Sequence, residues 1–207
     1  MELDALLARL AAHAALAPER AESLPPELYW RADVYALELE RIFARDWMCI
    51  GRVEQVERPG DWLRVDLAGE PLVVTRDESG RLRALSRACR HRGLDLLCGS
   101  DERRGHAARF ECPYHLWSYG LDGRLLGAPE MRCAAGFERW SVRLPELPLE
   151  VWQGYVFVCL DPAAAPLAPR LRELAISTRG LVRGTSTFPS RPGCSGPSIE
   201  RTLRFSA

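Results

Sequence analysis

A chain of 207 residues with 47% apolar side chains can bury one domain-sized core or two small ones, and is expected to be globular. Its 28 basic residues, all arginine, balance 28 acidic ones, which argues against nucleic acid or an anionic membrane surface as a partner. No apolar run approaches the roughly 20 residues that span a bilayer, and Met1-Glu2-Leu3-Asp4 carries acids where an export signal carries basic residues, so a cytoplasmic, unanchored protein is expected.

In chain order, Leu3, Leu6, Leu7 and Leu10 fall at helical spacing and predict a short amphipathic helix within 2–16, ending before Pro18. Its other face lacks the basic residues of a membrane-surface helix, so packing on the domain or on a neighbouring subunit is the expected use. A second helix is expected over about 33–46, with Leu37, Ile42 and Phe43 as its apolar face. From Trp47 the pattern changes to short β-branched and aromatic runs, with strands expected at 47–52, 62–67, 71–76, 82–86, 108–112, 117–120, 141–144, 148–152 and 154–160. Turn signals fall between them, at Pro59-Gly60-Asp61, Asp77-Glu78-Ser79-Gly80, Leu121-Asp122-Gly123 and Gln153-Gly154. Many short strands at this spacing predict an antiparallel sandwich or small barrel. The segment 177–207 differs: 22 of its 31 residues are Ser, Thr, Gly, Pro or Arg, and it holds 5 Arg against 1 acid. Such a composition cannot bury enough apolar surface to offset its ordering entropy, and a poorly structured tail is expected.

Seven cysteines are an odd number in a chain with no export signal, which favours metal ligation over a disulfide framework. The informative constellation is Cys89-Arg90-His91-Arg92-Gly93 and, with twenty residues between His91 and the next cysteine, Cys112-Pro113-Tyr114-His115-Leu116-Trp117. Each half supplies one thiolate and one imidazole. A Cys-X-His pair on an extended loop presents both ligands to one side, so two such loops facing each other can enclose a binuclear iron–sulfur cluster, whose potential is raised by imidazole in place of thiolate. A structural zinc site is the alternative donor set. Zinc sites usually pair Cys with Cys and His with His, whereas both loops here are mixed, which favours iron.

With these residues the sequence resembles the Rieske domain of the large (alpha) subunits of bacterial Rieske non-heme iron ring-hydroxylating oxygenases. That family includes aromatic dioxygenases and choline- or betaine-type monooxygenases. The resemblance runs from about Leu24 to Leu174 and includes Ile42-Phe43-Ala44-Arg45-Asp46-Trp47, Gly60-Asp61-Trp62, Leu82-Arg83-Ala84, both ligand motifs, and Ser118-Tyr119 after Trp117. It implies a mainly β fold: an ISP-like antiparallel β sandwich with a cluster-binding subdomain inserted at about 86–120, preceded by short N-terminal helices. The corresponding division is a helical segment at 1–46, the Rieske 2Fe-2S domain at 47–162 and an extension at 163–207.

The resemblance further implies a Rieske-type 2Fe-2S cluster with Cys89 and Cys112 on one iron and His91 and His115 on the other, more exposed iron. Arg90, Arg92, Gly93, Tyr114 and Trp117 would surround it. Arg90 and Arg92 are candidates for a positive rim facing an acidic electron donor, Gly93 for letting backbone amides approach the sulfurs, and Trp117 for packing beneath the loop. The implied partners are a ferredoxin or flavin reductase fed by NAD(P)H, a homo-oligomer or oxygenase partner subunit, and a mononuclear Fe(II) that receives the electrons, usually in a neighbouring subunit. Leu116 departs from the family, which usually places Gly or another small residue there. The respiratory-complex type of Rieske protein adds a disulfide-forming cysteine to each loop. Tyr114 occupies the place of the second, which argues against that type.

The four histidines stand at 13, 91, 106 and 115. None follows His115, so a two-histidine, one-carboxylate iron site cannot be assembled from the C-terminal part. The tail from about Ile176 is therefore expected to be a frameshift or truncation product, leaving a chain that transfers electrons without supplying the oxygen-activating iron. A stand-alone Rieske ferredoxin and a zinc-binding module are the alternatives; the segment 24–60, which small ferredoxins do not need, favours the oxygenase. Cys49, Cys98, Cys133, Cys159 and Cys194 lack histidine neighbours and are expected as small buried apolar residues, and His13 and His106 as solvated.

Overall fold

Short alternating runs from residue 48 onward build three antiparallel sheets. The computed structural model describes residues 2–131 and 133–172; the basic tail and Cys194 lie outside them. Ahead of the sheets come helix α1 (Leu3–Ala14), which buries Leu6 completely, and helix α2 (Ala32–Glu38), which continues as a π-helical turn over Leu39–Phe43. Between them the chain makes two 3-10 turns that start on Pro18 and Pro26, where a missing N–H costs nothing.

The strands are β1 (Met48–Arg52), β2 (Asp61–Leu67), β3 (Glu70–Arg76), β4 (Leu82–Ser86), β5 (Arg104–His106), β6 (Phe110–Glu111), β7 (Ser118–Tyr119), β8 (Leu125–Gly127), β9 (Glu146–Leu147), β10 (Leu149–Trp152) and β11 (Tyr155–Val158). They pair in the orders β1-β11-β10, β5-β2-β3-β4-β9 and β6-β7-β8. The result is mainly β and antiparallel, as the alternation predicts. The tight reversal from β10 to β11 uses Gln153 and Gly154, both at positive φ, in the two-residue geometry that suits a twisted hairpin.

The five-stranded sheet is apolar on both faces. Successive side chains of a strand point to opposite faces, so Trp62, Val73 and Leu85 join one core while Leu63, Leu72, Val74 and Ala84 join another. The second core is completed by Val156 and Val158 of β11, and packs this sheet on β1-β11-β10. The first core takes in Phe110, Trp117, Tyr119, Leu121 and Leu125, together with Cys89 and Cys112. The candidate ligand loops thus grow out of the packed face of a two-sided sheet.

Three expectations shift. The run expected as a strand at 108–112 pairs only over Phe110–Glu111, and a separate strand, β5, adds to the edge of β2. The expected strand at 141–144 is a 3-10 turn over Arg139–Ser141 followed by a single antiparallel bridge of Arg143 to Arg124, and ladder pairing resumes only after Pro145, at β9. Leu144 is buried against the first core, and its N–H to the Gly123 carbonyl, with Leu125 N–H to the Val142 carbonyl, makes that bridge, so the apolar alternation there reports one isolated bridge and not a continuing strand. Cys49, expected buried, is exposed on β1, whereas Cys159 is fully buried; Cys98 and Cys133 are exposed as well. Residues up to Leu167 form one compact unit, at whose end the helical turn α3 (Leu167–Arg170) begins. No helix among the described residues is long and apolar enough to cross a membrane.

Candidate metal centre

Each half of the cysteine–histidine constellation folds as a closed arm. In the first, Ala88 bridges Asp95 across the arm's base, the Leu94 carbonyl accepts from Cys89 N at 2.9 Å, and the Arg87 carbonyl accepts from Leu96 N at 2.9 Å. Gly93 ends the tip at φ +74° and donates its N–H to the Cys89 carbonyl. A Cβ at Gly93 would meet open space, so what this position requires is left-handed backbone rather than the close approach of another group. The second arm joins β6 to β7. Cys112 N donates to the Trp117 carbonyl at 2.8 Å, Leu116 N donates to the Cys112 carbonyl at 2.9 Å, and Leu116 sits at φ +58°. Leu116 thus does in the second arm what Gly93 does in the first, which makes leucine a strained choice there.

The arms bring the two histidine rings beside each other and place the two cysteines in one core. Cys89 and Cys112 belong to one buried core, 3% and 2% exposed. His91 and His115 stand farther out, half-buried, with ring centroids 4.6 Å apart. Among the described residues no three His, Cys, Asp or Glu side chains cluster as a cage for a single ion. The candidate donors stand as two pairs instead, thiols in the core and imidazoles farther out, a donor set that suits one metal per pair.

Two atoms test the fit directly. The Nδ1 atoms of His91 and His115 are both buried and both lack a hydrogen-bond partner. A buried unpaired ring nitrogen costs free energy unless its lone pair is used, and a metal uses it. Loss of solvent, then His91 and Arg92 nearby, hold the His115 imidazole below its ordinary pKa and so in the neutral form that ligates. Burial pushes the Cys112 thiol up, although the amides of Tyr114 and His115 point at it and oppose the shift. An inserted cation would reverse that balance.

The surroundings are specific. The Trp117 indole, 4% exposed, stacks on the His91 ring at 4.7 Å and 7° and is backed by Phe137. Tyr114 is exposed, its ring 3.8 Å from that of His115 and reached at 6.0 Å by the Arg92 guanidinium. Arg90 and Arg92 both face solvent. Tyr119, present in the motif but given no role by the sequence, proves central. Its fully buried hydroxyl accepts from Arg90 N at 3.0 Å and lies 3.3 Å from Cys89 Sγ. With the amide on its lone pair, its proton is free for the sulfur. Burial and the adjacent Cys89 raise the phenol pKa, which keeps that proton in place. The available signal was period-two alternation, since Trp117 and Tyr119 point to the same side. Neither His13 nor His106 joins the centre. His13 is half-buried, bonded to the Arg9 carbonyl, and exposed His106 pairs with Asp61 at 3.0 Å.

Comparison with known proteins agrees with this geometry. A family model described as a Rieske [2Fe-2S] domain matches residues 46–148. The benzene 1,2-dioxygenase alpha subunit of Pseudomonas putida is 34% identical over 162 residues, covering 77% of this chain and 35% of the relative. The carnitine monooxygenase oxygenase subunit of Acinetobacter pittii is 32% identical, covering 76% and 42%. Among solved structures, naphthalene 1,2-dioxygenase from Rhodococcus sp. superposes with a TM-score of 0.72 at 28% identity, over 83% of this chain and 38% of that one. A quaternary ammonium Rieske monooxygenase gives 0.70 at 30% identity, over 77% and 46%. The chain spans between about a third and a half of the length of these relatives.

Proposed function

The chain belongs, through residues 46–148, to the Rieske [2Fe-2S] domain family, and on that premise we propose that Cys89, His91, Cys112 and His115 hold its 2Fe-2S cluster so that the domain transfers single electrons within a Rieske oxygenase. The observation that carries the ligand assignment is the pair of buried, partnerless Nδ1 atoms on His91 and His115, each on an arm that also holds a buried thiol. When bound, the cluster supplies reversible one-electron chemistry at a potential raised by its imidazole ligands. The chain's own residues do the rest. Cys89 and Cys112 offer thiolates from the core, His91 and His115 offer neutral nitrogens toward the surface, and Trp117 shields one face of the His91 ring. The Tyr119 hydroxyl, oriented by the Arg90 amide, donates to Cys89 Sγ and holds that thiolate in place.

The oxygenase reading draws on relatives that act as benzene dioxygenase and carnitine monooxygenase subunits. One related structure is described in terms of inter-subunit electron transfer. By that reading a ferredoxin or flavin reductase supplies the electrons, and a mononuclear Fe(II) of an oxygenase subunit, commonly a neighbouring copy, receives them. Purification under anaerobic conditions tests the assignment. The expected product is brown, carries two irons per chain, and shows a Rieske-type EPR signal after reduction. A colourless protein with stoichiometric zinc would establish the structural zinc reading instead.

A further inference from the structure

Beside the first ligand arm lies a charged network that the ligand chemistry leaves unexplained. Arg87 is 3% exposed and sits two residues before Cys89; a buried guanidinium demands compensation. Two carboxylates supply it: Asp66 Oδ1 accepts from its Nη2 at 2.6 Å, and Asp95 Oδ2 lies 3.1 Å from the same nitrogen. Asp66 is mostly exposed, whereas Asp95 is largely covered. Asp95 is also 3.6 Å from Arg64 of β2, and Arg64 donates to the carbonyls of Leu97 and Ser100. Asp95 Oδ1 accepts from Leu97 N at 2.9 Å.

Arg87 and Asp95 flank the base of the arm, where Ala88 bridges Asp95, and the tip between them carries Cys89 and His91. Arg64 and Asp66 lie on β2, inside the five-stranded sheet. The network therefore fastens the first arm, and not the second, to the sheet. The second arm closes on its own backbone hydrogen bonds between Cys112 and Trp117. We infer that Asp95, gripped by Arg87 and Arg64, is a positioning residue that sets where Cys89 and His91 stand against Cys112 and His115. The inference rests on the functional reading above and adds to it the device that fixes one ligand pair relative to the other.

The test compares the clustered wild-type chain with Asp95→Asn, Asp95→Glu and Asp66→Asn. Asp95→Asn keeps the shape and the Leu97 hydrogen bond but loses the charge. It should show shifted EPR g-values and about ten-fold faster loss of iron to a chelator, the scale seen when groups that orient metal ligands are removed. Amide exchange should rise at Cys89 and Leu96 and stay unchanged at Cys112 and Leu116. Asp95→Glu restores the charge and should recover most of the wild-type signal. Asp66→Asn loosens the Arg87 tie to β2 but leaves every bond of Asp95 in place, and should lie nearer to wild type than Asp95→Asn in all three measurements. If Asp95→Asn is insoluble, Arg64→Gln frees the same carboxylate from outside the arm and carries the same expectation. A folded Asp95→Asn chain with wild-type spectrum, chelator kinetics and exchange would overturn the inference and leave the functional reading intact. A wild-type chain that holds no iron–sulfur cluster would overturn both.

Discussion

Replacing Tyr119 with Phe removes one oxygen from the most enclosed position beside the cysteine pair and keeps the ring that fills the core. Two interactions go. Cys89 Sγ loses its donor at 3.3 Å, and Arg90 N loses its acceptor at 3.0 Å. A hydrogen bond to a charged acceptor contributes roughly 1.5–3 kcal/mol, and it stabilises the reduced, more negative state more than the oxidised one. Where about half of the upper figure separates the two states, the potential of the variant falls by about 59 mV, the one-electron equivalent of about 1.4 kcal/mol. The unpaired Arg90 amide adds a stability cost of about 1–2 kcal/mol, or roughly 2–8 °C in Tm for a domain of this size. Redox titration followed by EPR measures the first effect, and thermal melting followed by circular dichroism the second. A folded variant whose potential stays put or rises would refute the assignment of Tyr119 as a donor to the thiolate, whatever its Tm.

Leu116→Gly relieves a left-handed leucine, at a position 55% exposed where little apolar burial is lost. The relief of about 1–2 kcal/mol, less the extra entropy of glycine in the unfolded chain, should raise stability by up to about 1 kcal/mol; a lower Tm would contradict the strain argument. Asp77 gives a pH signature. Burial pushes its carboxyl up, but hydrogen bonds from Ser79, Arg83 and the Arg81 amide outweigh burial and hold it at about 2, below the ordinary 3.8. Because the folded value is depressed, the contribution is present above about pH 4 and is lost as pH falls toward 2. Asp77→Asn should therefore cost about 2 kcal/mol near neutrality and flatten the acid limb of a Tm–pH curve, and an unaltered acid limb would show that Asp77 is not responsible for it.

Most of the β architecture was legible in the sequence, because alternation and turn residues are local signals. Cys89, His91, Cys112 and His115 stood out for a related reason: each loop writes its donors within four consecutive residues, and the order of thiol and imidazole within a loop speaks to the chemistry. Misreadings arose where a local pattern had a non-local cause. The alternation around Leu144 yields one isolated bridge, Arg143 to Arg124, and no continuing strand, and Cys49 sits in an apolar run yet lies on the exposed face of β1. The departure at Leu116 was visible as a residue, but its meaning lay in a backbone angle that a sequence does not write.

The sequence by itself singled out four candidate donor side chains, arranged as two mixed pairs. Only the tertiary structure decided which groups act on them. Tyr119 is thirty residues from Cys89, and Arg64 thirty-one from Asp95, and each pair meets because a two-faced sheet carries both arms on one packed side. Hydrogen bonds and ion pairs act over a few ångströms in space. What tunes and positions a ligand is therefore fixed by which strands become neighbours, which motif spacing does not record.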